Sequence, residues 1–247
     1  MTTERESTER ESTERETTEQ APTEISQLLA IELALDQNTY TKGPWQALTR
    51  RVERMPRIER QLLQADLDRV SNKLHRRNGF PQLPVAVGFV FELALLSLVI
   101  AFLNHPDLWP RIIAVGALAL SLQPSMKVMA GLLLGVRYSY VYLWYFEPRF
   151  KLRYGTYLSL PAGRRIMFHL AGSVGTPLAL LTGFFVLADQ PILAWLSLVG
   201  GIATTAMQVG AFIAAWMGVK RVGPFLLTSL TTPATAAKEL KAFLGRP

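Results

Sequence analysis

Four apolar runs, each long enough to cross a bilayer, constrain this chain more than any other feature, and one of them carries a cation. The runs cover residues 80–103, 109–136, 166–188 and 191–217, against the twenty or so apolar residues that a helix needs to span about 30 Å of hydrocarbon. The second holds Gln123-Pro124-Ser125-Met126-Lys127 near its middle. An ionisable group at that depth costs roughly 2.5 kcal/mol or more, so it normally faces a bundle interior, a cavity or a partner. The spacing predicts an all-α membrane protein with four transmembrane helices.

Charge orients the spans. Of the 23 Lys and Arg after residue 20, ten precede the first span, six lie between Arg137 and Arg165, and five follow the fourth. The exceptions are Arg111, at a helix end, and Lys127. The turns at 104–108 and 189–190 contain neither Lys nor Arg. The positive-inside rule then places both termini in the cytoplasm.

Four regions follow. Residues 1–20 repeat Thr-Glu-Arg-Glu-Ser and carry seven Glu against three Arg, so a net −4 leaves +11 on the rest of a chain whose total is +7. A five-residue period fits no helix, and without apolar residues the segment cannot offset its ordering entropy. It is expected to be a disordered tail, with a helical interaction arm as the alternative. It has none of the features of a signal peptide.

Residues 21–79 are expected to form cytoplasmic amphipathic helices. Ile25, Leu28, Leu29, Leu33 and Leu35 make one stripe, Trp45, Leu48, Val52 and Met55 a second that ends at Pro56, and Ile58, Leu62, Leu67, Val70 and Leu74 a third opposite Arg60, Asp66, Arg69 and Lys73. These helices pack together or lie on the membrane. Nine Lys and Arg between Arg50 and Arg77 make an anionic cytoplasmic leaflet the natural counter-surface. Nucleic acid is not expected, because these cations alternate with core positions and acids just before a span. Residues 80–218 form the transmembrane domain, and 219–247 a cytoplasmic C-terminal tail.

Depth compares the polar residues inside the spans. Counting about 1.5 Å per residue from residue 106, Glu92 lies about 21 Å, Gln123 about 26 Å and Lys127 about 32 Å from the hairpin apex. Glu92 and Gln123 are therefore candidates for an intramembrane polar contact. Lys127 can reach back toward Glu92 or snorkel toward the basic face near Arg137; snorkelling is favoured. Gly131, Gly135, Ala171, Gly172, Gly175, Gly200, Gly201, Ala203, Thr204 and Thr205 are read as helix-packing positions. Tyr138, Tyr140, Tyr142, Trp144 and Tyr145 are read as an interfacial aromatic belt, with a pigment or quinone contact as the sharper alternative.

Two segments bear a family resemblance. Gln123-Pro-Ser-Met-Lys127-Val-Met-Ala-Gly-Leu-Leu-Leu-Gly-Val136 resembles the zinc helix of site-2-protease-type intramembrane metallopeptidases, where H-E-x-x-H precedes an apolar stretch ending in a Leu-Gly-Val-like turn. Arg165-Ile-Met-Phe168-His-Leu-Ala171-Gly172-Ser173-Val-Gly175-Thr176 resembles the family's R-x-x-F-x-x-A-G-P-x-G-N segment. The resemblance implies a site-2-protease-like core. It sets Gln123 and Lys127 at the two zinc-ligand positions and Pro124 at the catalytic glutamate.

Those departures bear on chemistry. Zinc catalysis needs three N, O or S ligands and a base for the bound water; Gln is a poor ligand, Pro is no base and Lys is a cation. The family's third ligand is acidic, yet residues 190–218 contain no Asp, Glu or His, and His75, His105 and His169 come from an amphipathic helix end, the far-side turn and the start of the third span, so they are not expected to converge. With no cysteine, thiolate chemistry is excluded. No G-x-S-x-G elbow, phosphate loop or G-x-G-x-x-G is present, and Ser125 and Lys127, two residues apart on a helix, point in different directions. The expected function is that of a non-catalytic, pseudo-peptidase scaffold without metal or cofactor, serving as a subunit or assembly factor among other membrane protein subunits. The alternative is a binding module that holds a transmembrane helix or a lipid- or quinone-like molecule in the former substrate groove; an active protease is the weakest reading.

Overall fold

The computed structural model describes residues 23–144 and 147–245. The repeat segment 1–20 and Tyr145 lie outside them. Two compact units emerge, one built from the chain up to Phe80 together with Leu152–Leu160, the other from Pro81–Lys151 and Pro161 onward.

In the first unit, helix α1 covers 23–36, followed by α2 (Pro44–Val52), α3 (Arg57–Leu62), α4 (Gln64–Arg76) and α7 (Tyr154–Ser159). Leu28, Ile31, Leu35, Leu48, Val52, Leu63, Leu67 and Val70 form its core, each no more than 5% exposed. The stripe expected across 57–77 divides at Leu63, because the chain breaks there into two helices with different buried faces. Leu67 and Val70 are buried as expected, but Ile58 and Leu62 are 74% and 70% exposed while Glu59 and Arg60 are buried.

The reason is α7, a short helix that the sequence pattern does not announce. Arg60 Nη1 donates to the Leu158 carbonyl at 2.6 Å, Gln64 Nε2 donates to Thr156 Oγ1 at 3.0 Å, and Asp68 Oδ1 accepts the Gly155 N–H at 2.7 Å. A Cβ at Gly155 would strike the Gln64 backbone. Docking α7 therefore rotates the polar side of α3 inward, where the orphan groups of a short helix find partners. Desolvation in this contact pushes the Asp68 carboxyl above the usual carboxylate range.

The second unit contains the four spans α5 (Val85–Leu103), α6 (Leu108–Leu134), α8 (Ala162–Val186) and α9 (Pro191–Trp216). Among the described residues about three quarters are helical, and the expected all-α membrane architecture holds, with two small sheets added. Strand β1 (Gln82–Leu83) takes the first residues assigned to span one and pairs antiparallel with β2 (Tyr138–Trp144), Gln82 opposite Tyr142; β3 (Glu147–Leu152) flanks β2 on the other side. Span two ends at Gly135, whose φ of 91° is left-handed and suits a glycine at a helix end. Gly135 is thus a cap and not the packing residue expected.

Val99 of α5, Ala114 and Leu118 of α6 and Ala179 of α8 make one core. One turn beyond Ala179, Gly183 abuts Ser197 of α9 and Val115 of α6, and Ser197 Oγ donates to the Leu180 carbonyl at 2.7 Å. Pro177 inside α8 removes the N–H that Ser173 O would accept. Gln208 Nε2 of α9 donates to that carbonyl at 3.0 Å, so a helix defect becomes a helix junction.

Residues 219–247, expected to be a tail, are folded through Gly245. Hairpin strands β4 (Arg221–Val222) and β5 (Phe225–Leu226) lead into α10 (Leu227–Leu230) and α11 (Thr232–Leu244). Helix α11 packs on α8 and α9 with Ala234, Ala236 and Ala237 fully buried. Small side chains permit that approach, and Glu239 reaches Arg165 of α8 at 3.1 Å.

Candidate functional site in the helix bundle

Helix α6 presents its polar residues in two opposite directions. Ser125 faces α5, where its hydroxyl donates to the Glu92 carboxylate and also lies 2.9 Å from the Ser121 carbonyl. Gln123 faces α8, where its Oε1 lies 3.1 Å from Thr176 Oγ1; the same hydroxyl is 3.0 Å from the Ala119 carbonyl. The expected Glu92–Gln123 contact is therefore replaced by two separate ones. Helical rise put Glu92 and Gln123 at one depth, but their azimuths differ: about 100° per residue turns Ser125, not Gln123, toward α5.

The contact at Gln123 is close. A Cβ on Gly175 would sit 2.5 Å from the backbone N and Cα of Gln123, so the two helices touch backbone to backbone at this level. One turn nearer the Arg165 end of α8, the Lys127 stem covers Gly172, with its carbons 3.2–3.4 Å from where a Cβ would be. Its ammonium lies 5.1 Å from the centre of the Phe168 ring, a cation–π geometry. Lys127 thus leans away from Glu92 and toward the basic end of the bundle, the direction snorkelling requires. The side chains of Ser125 and Lys127 diverge as the helix spacing demands.

The surroundings of Lys127 are basic. Arg149 acts on its charge, and both Lys127 and Arg165 act on His169. Glu239 is the carboxylate that pairs with Arg165. Sequence reasoning missed that pair because the C-terminal segment, Ala-rich with Glu239 its one acid between Lys238 and Lys241, reads as a tail. Among the described residues, no acceptor oxygen lies within hydrogen-bond reach of the Lys127 ammonium.

Tyr138–Trp144 of the aromatic run form a strand. Tyr138 and Tyr140 are 8% and 7% exposed, which contradicts an interfacial position for them. The Tyr138 hydroxyl donates to the Val128 carbonyl at 3.3 Å and its ring stands edge-on to Phe150 at 5.5 Å; burial pushes its phenol well up from the ordinary value. Tyr142 is half-buried in the same strand, and Trp144 ends it. Gly131 accommodates the Tyr138 hydroxyl and the Phe168 ring.

Arg111, the exception to the charge asymmetry, has a local explanation. Its guanidinium grips Asp189 in two parallel bonds, Nη1 to Oδ1 at 2.8 Å and Nη2 to Oδ2 at 2.7 Å, while Nη1 also donates to the Val186 carbonyl at 3.0 Å. The cation on the side otherwise free of Lys and Arg is neutralised by the turn it ties down. The Arg111 bonds hold the Asp189 carboxyl below its ordinary range.

The three histidines are separate: His75 in α4, His105 in the turn after α5, where its Nδ1 accepts the Asp107 N–H at 3.1 Å, and His169 in α8. No three His, Cys, Asp or Glu gather into a metal-binding group among the described residues. No family model matches the chain, and neither a curated protein nor a solved structure does. Fold and composition define a multi-pass α-helical integral membrane protein.

Proposed function

We propose that this protein is a non-catalytic membrane scaffold, a site-2-protease-like bundle without the zinc site, that serves as a subunit or assembly factor of a larger membrane complex with both termini in the cytoplasm. The observation that carries this reading is the use made of Gln123 and Lys127. At the ligand-equivalent positions, one side chain bonds Thr176 beside a backbone contact with Gly175, and the other packs on Gly172 and Phe168. Both hold α6 to α8, and neither supplies a carboxylate or imidazole to a metal. The outer faces of α5 and α9 carry large apolar side chains, among them Val90, Leu93, Trp195 and Ile202, each at least 60% exposed, which suits lipid or partner helices.

A second reading is favoured by Lys127. A cation without an acceptor near Arg149 suits an acidic group, so a lipid- or quinone-like molecule or the carboxylate of a foreign transmembrane helix is the natural occupant of a binding module. Native extraction in mild detergent with mass spectrometry separates the readings. Stoichiometric companion chains and no metal are expected. A lone chain retaining one lipid or peptide supports the second reading, and one tightly bound zinc per chain overturns both.

A further inference from the structure

Helix α3 carries an apolar pair turned away from the core of its own unit. Ile58 and Leu62 stand one turn apart and are the most exposed large aliphatic side chains of that unit. Gln61 and Arg57 share their exposed side, and Arg54 precedes them in the turn before Pro56. No acidic residue among these is exposed, since Glu59 is buried.

The charges nearby sort into two groups. Arg51 pairs with Glu24, Arg69 with Glu32 and Asp66, and Lys73 with Glu32 and Asp36. Arg54 and Arg57 have no carboxylate in ion-pair reach among the described residues. Arg54 and Arg57 thus leave unneutralised positive charge beside the unit's most exposed aliphatic pair. Only α4 and a short connection separate the patch in sequence from the first span.

We propose that α3 is a membrane-contact edge: Ile58 and Leu62 enter the headgroup region of an anionic leaflet while Arg54 and Arg57 bind lipid phosphates. An aliphatic pair flanked by arginines matches the chemistry of interfacial helices, with apolar side chains at the acyl boundary and guanidinium groups at the phosphates. Arginine's forked donors suit phosphate oxygens better than a point charge does. A protein partner with a carboxylate-lined apolar groove is the competing occupant, and the test distinguishes it. The inference is independent of the scaffold reading and stands even if that reading fails.

The chain lacks cysteine, so single-cysteine variants Ile58→Cys, Leu62→Cys and the exposed control Thr41→Cys can be labelled with a polarity-sensitive fluorophore in the full-length protein. Each is reconstituted in nanodiscs of phosphatidylcholine with or without phosphatidylglycerol. Expected are a blue shift and quenching by brominated acyl chains at both α3 positions in the anionic discs, little change at Thr41, and loss of the quenching in Arg54→Glu/Arg57→Glu. Two labelled positions guard against one substitution disturbing α3. Unquenched, red emission at both overturns the proposal. Blue-shifted emission without lipid quenching also overturns it, by showing a protein cover, and quenching that ignores both anionic lipid and the arginines overturns the phosphate contact.

Discussion

Gly175→Ala tests the closest contact in the bundle. The added methyl would lie 2.5 Å from Gln123 N and Cα and 2.7 Å from the Leu122 carbonyl carbon, all backbone atoms of a helix, which cannot swing aside. Relief to an ordinary contact of about 3.5 Å requires α6 and α8 to part by about 1 Å at this level. That displacement stretches both Thr176 contacts, to Ala119 O at 3.0 Å and Gln123 Oε1 at 3.1 Å, toward about 4 Å, beyond hydrogen-bond range. Overpacking costs about 1–3 kcal/mol, and an interhelical hydrogen bond in a membrane averages about 0.6 kcal/mol with a maximum near 1.7, so a total of roughly 2–4 kcal/mol is expected. Reversible unfolding in mixed micelles, followed by tryptophan fluorescence, measures it. The matched control is Gly116→Ala, a mid-helix glycine of the partner helix α6, where an added Cβ meets nothing within 4 Å; it is expected to be neutral or slightly stabilising. If Gly175→Ala is tolerated as well as Gly116→Ala, the backbone contact does not exist, and the account of Gln123 as a packing residue falls with it.

Three further outcomes are expected. Glu92→Leu and Ser125→Ala should be non-additive in the same unfolding assay by roughly 0.6–1.7 kcal/mol, whereas Glu92→Leu and Gln123→Leu should add; the reverse pattern would reinstate the pairing that depth alone suggests. Asp68 has its carboxyl raised by desolvation, so its contribution to stability is fully present below the ordinary value of 3.8 and is lost as pH rises through the raised one. Asp68→Asn, which keeps an acceptor for the Gly155 N–H, should remove that decline when protection of the α3–α4–α7 contact is followed by limited proteolysis across pH; an unchanged profile contradicts the desolvation argument. Single cysteines placed at Asn104 and Asp189 should react with impermeant reagent from the non-cytoplasmic face and those at Arg137 and Lys220 from the cytoplasmic face; labelling in the opposite sense inverts the topology.

Helix formation in lipid depends chiefly on a long apolar run satisfying its own backbone bonds, and that property is local. For this reason the sequence alone determined that the chain has four spans, nearly where each begins and ends, and that Ser125 and Lys127 must diverge. Buried positions of α1 and α4 were partly legible too, since Leu28, Leu35, Leu67 and Val70 recur at helical spacing and are buried. What a residue touches is a different matter, because it depends on the azimuth of each helix and on segments distant in sequence. Tertiary structure decided that Glu92 meets Ser125, that Arg60 goes inside because α7 offers a carbonyl about a hundred positions away, and that Ile58 and Leu62 are left outside. It also placed Tyr138 and Tyr140 in a buried strand and drew the C-terminal segment onto α8 and α9 through Glu239 and Arg165. Periodicity identifies an apolar face without saying what covers it, and in this chain the covering elements, α7 and α11, are short or polar enough to leave no signal of their own until they pack.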